Sequence, residues 1–196
     1  MQTAVDFLTD PVIIILILAS FTSWWIIVDR AIVLLHSAKS DRDTYRGKRA
    51  WGSPLSRLKD EFDRLVVKLS REDLLLGLDA AVDMERIRLE KAIAVLGAIG
   101  STSPYVGLLG TVIGIIRSFH NIQMTNNMSP ATVGGGISIA LIATAAGLAV
   151  AIPAVIGHHL LSSAITKRVS VWEAVLAKWV AEGNSGGETD ESIETA

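Results

Sequence analysis

Apolar residues in this chain gather into three long runs, 11–36, 92–122 and 134–157, set between strongly charged segments. An α-helix needs roughly 20 apolar residues to cross a hydrocarbon core about 30 Å thick, and each run is long enough. The pattern predicts an all-α membrane protein with three transmembrane helices and long helices extending into the cytoplasm. The polar segments have a period of their own. Within 37–91, Leu55, Leu58, Phe62, Leu65 and Leu69 recur at helical spacing among charges, which marks an amphipathic helix. Ser70-Arg-Glu-Asp73 reads as a capping box opening the next helix. Leu75, Leu78, Val82 and Ile87 then carry the helical spacing into the second run without a breaker. One helix from Asp73 to Ile122 is expected, about 75 Å long and projecting well beyond the bilayer. The polar stretch Lys39 to Pro54 is expected to turn. Residues 158–182 continue as a helix, and the acidic, apolar-poor tail 183–196 is expected to be disordered.

Charge distribution orients these elements. Fourteen of the eighteen Lys and Arg lie between Arg30 and Lys91, and three between Lys167 and Lys178. From Ala92 to Gly157 the one formal charge is Arg117, and no carboxylate occurs. Lys and Arg accumulate in cytoplasmic loops. The expected topology therefore has a short periplasmic N-terminus (1–10), a cytoplasmic helical domain (37–91), a periplasmic connector (123–133) and a cytoplasmic C-terminus. The first run is expected to be an uncleaved anchor, because no Lys or Arg precedes Arg30 and no small-residue cleavage site follows it. There is no cysteine, hence no disulfide framework.

Chemistry-bearing residues are few. In the second run Gly100, Ser103, Gly107, Thr111, Gly114 and Ser118 fall three or four apart, with Gly110 on their flank. In the third run Gly136, Ala140, Thr144, Gly147 and Ala151 do the same. Close helix packing alone accounts for the glycines and alanines. Thr111 and Thr144 sit mid-run and allow two readings. Each hydroxyl either bonds a carbonyl one turn back or, with Ser103 and Ser118, lines a polar passage that could hydrogen-bond water or a partner's carboxylate. Pro104 and Pro153 each remove a backbone hydrogen bond and are expected to kink their helices. Arg117 and His120 suit the outer interface. His158-His159 makes a poor chelate, because adjacent residues point to different faces of a helix. Trp24 and Trp25 fall mid-run, where they pack against helices or lipid. Gly134-Gly135-Gly136 lacks the Lys and Ser/Thr of a phosphate-binding loop and is expected to start a helix at close quarters. No metal-ligand spacing, nucleophile triad or intramembrane carboxylate pair appears, so neither an enzyme, a cofactor nor a metal is expected. If protons move, another chain is expected to bring the carboxylate.

Two longer motifs identify a family. Ser101-Thr-Ser-Pro-Tyr-Val-Gly-Leu-Leu-Gly-Thr-Val-Ile-Gly114 resembles the second-span signature of the TolQ/ExbB proteins, relatives of the MotA flagellar stator subunit. Gly136-Ile-Ser-Ile-Ala-Leu-Ile-Ala-Thr-Ala-Ala-Gly147, followed by Ala151-Ile-Pro-Ala154, resembles their third-span signature. Ser20 to Arg30 looks like their first span. The resemblance covers residues 8 to 175. It implies a pentamer in the bacterial inner membrane around single-span ExbD/TolR-like partners, whose membrane-embedded Asp takes up and releases protons to drive work on the cell envelope. The family's two pore threonines fall on Thr111 and Thr144. The chain departs from the pattern at Ile139, where TolQ and ExbB chains carry a Glu that MotA-type relatives also lack, and at Gly135, where a Pro is usual. Three functions stay open: a subunit of a stator driven by the proton motive force, a membrane scaffold without ion flux, and a stand-alone ion channel.

Overall fold

The computed structural model describes residues 11–45, 53–67, 70–125 and 129–191, and among them every regular element is a helix. Helix α1 spans Pro11–Tyr45, α2 Pro54–Leu65, α3 Arg71–Thr125 and α4 Pro130–Glu191. Stretches long and apolar enough to cross a membrane fall within α1 (Pro11–Ser37), α3 (Arg71–Met124) and α4 (Val133–Glu182). The segment expected to be a periplasmic N-terminus, 1–10, lies outside the described residues.

Helix ends follow local chemistry. Pro54 and Pro130 open α2 and α4, where a missing N–H costs nothing and the fixed φ already suits a helix. Ser53 caps α2 by accepting from the Ser56 N–H at 3.0 Å. At the start of α3, Ser70 Oγ accepts from the Asp73 N–H at 3.4 Å and donates to Asp73 Oδ2 at 2.7 Å, a variant of the expected capping box. Glu72 and Asp73 add negative charge at the positive end of the helix dipole.

Three boundaries differ from expectation. α1 runs on to Tyr45, because Ser37 to Tyr45 holds no Gly or Pro and extending a helix costs less than nucleating one; residues 46–52 of the expected turn lie outside the described set. The connector expected at 123–133 is shorter, since α3 reaches Thr125 and α4 begins at Pro130. Helix α4 also continues to Glu191, so 183–191 of the tail expected to be disordered falls within it; propagation again needs no new nucleus. The long second helix is present as α3, about 80 Å of unbroken helix.

The chain forms two compact units. One joins α1 up to Asp29, α3 from Ala92 and α4 up to Leu160. Its core is Val12 and Leu16 of α1 against Val150 of α4, surrounded by Ala19, Ile99, Val106, Ile113 and Ala146. Much apolar surface points outward, including Phe21, Trp24, Trp25 and Ile116. Water does not tolerate that much apolar area, and lipid or other helices do.

The second unit holds the rest of α1, all of α2, α3 up to Lys91 and α4 from Leu161. Leu55 and Leu58 of α2 are buried, Phe62 meets the Trp179 ring at 5.9 Å, and Leu65 lies over Gly77. Leu69 lies outside the described residues. On α3 the buried face is Leu74, Leu78, Ala81, Val82 and Leu89, whereas Leu75 and Ile87 point outward. Apolar residues occur on both sides of this helix, so their spacing marks the helix, as expected, without marking its inner face. Asp41 accepts from the Leu55 N–H at 3.3 Å and from Trp172 Nε1 at 3.1 Å, and forms an ion pair with Arg168 at 3.8 Å. Arg168 also donates to Ser37 Oγ and to the Leu34 carbonyl. Burial pulls the Arg168 guanidinium below its ordinary value, and the Asp41 carboxylate opposes that shift. Glu85, only 6% exposed, holds Arg88 at 2.7 Å and Arg57 at 3.6 Å.

Candidate functional site

The small-residue stripes of α3 and α4 meet each other. A methyl group added at Gly107 would lie 2.8 Å from the Ala143 carbonyl and 3.1 Å from the Cα atoms of Gly147 and Thr144. One added at Gly147 would lie 2.7 Å from the Ser103 carbonyl and 2.9 Å from Gly107 Cα. At this crossing the helices touch backbone to backbone, which only glycine permits. Contacts continue in both directions, Gly114 against Ala140 and Gly136 against Ser118 toward one end, Gly100 against Val155 and Gly97 against His158 toward the other. Gly110 faces Ala143 and, from α1, Val12. The helix-packing role expected of Gly107, Gly110, Gly114, Gly136, Ala140 and Gly147 thus has a contact at each position. Gly134 and Gly135 have nothing within 4 Å of an added methyl, so of that triplet Gly136 alone packs closely. The helix starts upstream of them, at Pro130, and they need no close partner there.

Four hydroxyls fall along this seam. Thr144 Oγ1 donates across it to the Gly107 carbonyl at 3.2 Å. Thr111, 7% exposed, donates to the Leu108 carbonyl of its own helix at 2.6 Å. Ser118 donates to the Gly114 carbonyl at 2.9 Å. Ser103 is buried, with its carbonyl against Gly147. Thr111 takes the first of the two alternatives, bonding back to its own helix, whereas Thr144 bonds the Gly107 carbonyl of the neighbouring helix, a partner neither alternative named. In both cases the hydroxyl proton is engaged by a carbonyl. What remains is the oxygen's capacity to accept a hydrogen bond. Such a hydroxyl can bind water or a protonated carboxylic acid. To donate to a carboxylate it would first have to release its carbonyl.

Neither proline interrupts its helix. Pro104 and Pro153 lie inside continuous α3 and α4, and each ring leaves without its usual donor the carbonyl four residues earlier, Gly100 and Ala149. Ser101 and Thr102 in the turn before Pro104 both donate to the Ala98 carbonyl, at 3.0 and 2.8 Å. Arg117, His120 and Ile139 stand on exposed surface. Ile139 is 49% exposed although its neighbour Ala140 is packed on Gly114. His158 packs on Gly97, and its ring lies edge-on to His159 at 5.4 Å. Among the described residues no cluster of three or more His, Cys, Asp or Glu could hold a metal ion.

Sequence reasoning missed two participants, Ala143 and Val12. Ala143 is an alanine among many, and nothing in its spacing sets it apart. The part played by α1 at Gly110 through Val12, and at Gly157 through Ile27, depends on which helix lies alongside, and periodicity carries no such information.

Residues 53–174 match the profile of the MotA/TolQ/ExbB proton channel family. Over 180 residues the chain is 36% identical to the Tol-Pal system protein TolQ of Pseudomonas aeruginosa, covering 78% of this chain and 77% of that protein. It is 33% identical over 183 residues to the biopolymer transport protein ExbB of Neisseria meningitidis, covering 78% and 83%. With TolQ of Haemophilus influenzae it shares 34% over 178 residues, covering 77% and 78%.

Proposed function

We propose that this chain, which belongs to the MotA/TolQ/ExbB proton channel family, is the multi-span subunit of a proton-driven motor complex in the bacterial inner membrane. In this reading five copies surround a single-span ExbD/TolR-like partner, and ion flow performs work on the cell envelope. The N-terminus lies in the periplasm and the C-terminus in the cytoplasm. Arg30 to Lys91 carries the cytoplasmic charge.

The observation that carries the reading is the absence of any carboxylate between Ala92 and Gly157, together with a seam of hydroxyls whose protons are held by carbonyls. A membrane segment without an acid has no proton carrier of its own. The partner's Asp supplies one, and an acid at that depth is costly unless it serves a function. Hydroxyls that mainly accept favour the neutral, protonated acid over the carboxylate. The Thr111 and Thr144 level is then where the partner's acid rests while carrying its proton, with Ser103 and Ser118 marking the seam on either side. Release of the proton weakens that contact and frees the partner to move on.

The test is proton flux into vesicles containing this chain co-purified with a single-span partner. Flux that requires the partner's Asp and falls when Thr144 loses its hydroxyl supports the reading. The competing reading is a non-conducting scaffold, and Ile139 is its support, since it places an apolar side chain where TolQ and ExbB relatives have a Glu. Flux at the level of empty vesicles, from a complex that still holds its partner, would select the scaffold.

A further inference from the structure

The charged unit outside the apolar runs leaves two stripes of surface uncovered, and their chemistry is complementary. On α4, Lys167, Val171, Ala174 and Lys178 follow one another at steps of four, three and four, and so share a face. They line a groove of about 720 Å³ whose other wall includes Asp41 and Leu55. On α3, Leu76, Asp79, Asp83 and Ile87 form an exposed stripe, with Leu76 70% and Ile87 62% exposed, and Glu90 continues it. Lipid does not account for this apolar surface, because residues 72 to 91 hold nine charged side chains. Exposed apolar groups on so charged a segment call for a protein partner.

We infer that the α3 stripe of one copy of this chain seats in the α4 groove of the next. Three features select a second copy over an unrelated acidic protein. Acidic and basic stripes occur on the same chain, so every copy brings both halves, although Glu90 also pairs with Arg86 at 2.9 Å and Lys178 with Glu182 at 3.6 Å on their own helices. The spans match, since Lys167 and Lys178, like Asp79 and Glu90, stand eleven residue steps apart, about 16 Å of helix. Each stripe also sets large apolar side chains between or beside its charges, Val171 on one and Leu76 and Ile87 on the other. Because the two halves differ, the contact is head-to-tail. Each copy keeps one free half on either side, and such an arrangement closes into a ring when the rotation between copies permits. Charge sets register and excludes wrong pairings more than it sets affinity. This inference deepens the assembly part of the proposed function and is independent of ion flow.

The chain has no cysteine, so introduced thiols report without background. Ile87→Cys and Val171→Cys are placed in two separately tagged full-length copies, co-expressed, and oxidised in membranes. The expected product is a dimer carrying both tags, whereas two Ile87→Cys copies give none. Reversing the groove charges with Lys167→Glu and Lys178→Glu should lower the mixed dimer at least about tenfold. Adding Asp79→Lys and Asp83→Lys to the Ile87→Cys copy should restore it. No mixed dimer from copies that still co-purify would overturn the inference, as would a cross-link indifferent to charge, or thiols captured by another protein. Proton flux measured on the same membranes separates the two claims. Lost cross-linking with intact flux removes this contact alone, and lost flux with intact cross-linking removes the conducting reading alone.

Discussion

Replacing Gly147 with Ala tests the helix seam most directly. The added methyl would sit 2.7 Å from the Ser103 carbonyl, 2.9 Å from Gly107 Cα and 3.2 Å from Gly107 N. All three are backbone atoms, so no side chain can swing aside. Restoring ordinary contact requires the helices to part by about 0.7 Å, which stretches the 3.2 Å bond from Thr144 to the Gly107 carbonyl beyond hydrogen-bond range. Overpacking of this kind costs about 1–3 kcal/mol, and the lost interhelical bond about 0.6 kcal/mol. Alanine returns about 1 kcal/mol through its better helix propensity. The clash and the lost bond together outweigh that gain, leaving a net loss of about 0.6–2.6 kcal/mol. Gly135→Ala is the control, because nothing lies within 4 Å of its added methyl and the propensity gain alone remains. The assay is unfolding of the purified protein in mixed micelles against rising denaturing detergent, followed by helical signal. Gly147→Ala should unfold earlier than the parent and Gly135→Ala no earlier. Equal behaviour of the two variants would refute the argument that backbone contact at Gly107 and Gly147 sets the seam.

Thr144→Val removes the donor to Gly107 at nearly constant volume. Its stability cost should be about 0.6 kcal/mol, while partner-dependent proton flux falls at least about tenfold and Thr144→Ser restores it; full flux from the Val variant would remove the hydroxyl seam from the pathway. Asp41→Ala leaves the Arg168 charge and the Trp172 N–H without their carboxylate. The expected destabilisation is about 3 kcal/mol, read by the same unfolding assay, with a smaller loss for Asp41→Asn, which keeps an acceptor. Ile139→Glu probes where an exposed position faces. Against lipid a mid-span acid costs about 2.5 kcal/mol or more and lowers the inserted fraction, whereas normal insertion places the position on a watery or protein-lined face.

Which parts of this picture were legible in the chain alone follows from where the information sits. The apolar runs and the absence of carboxylates between Ala92 and Gly157 are properties of composition along a line, so the number of spans could be read directly. The capping chemistry at Ser70 and the unbroken reach of α3 are equally local, because a helix is built from contacts three and four residues apart. The stripes of Gly, Ala, Ser and Thr announced a close helix contact for the same reason. In the charged segment the helical continuation was legible but its inner face was not: Leu75 and Ile87 fit a helical period as well as Leu74 and Leu89 do, and only packing against a neighbour decides which face is inside.

What the sequence determined by itself is that α3 and α4 must approach closely and carry their hydroxyls near the approach. Only the tertiary structure decided that Gly107 meets Gly147, that Thr144 spends its proton on the opposite helix while Thr111 spends it on its own, and that Ile139 looks away from Gly114. Periodicity fixes which residues share a face. The rotation of that face and its register against a neighbour arise from long-range packing, where shifting one helix by a single residue turns every contact by about 100°.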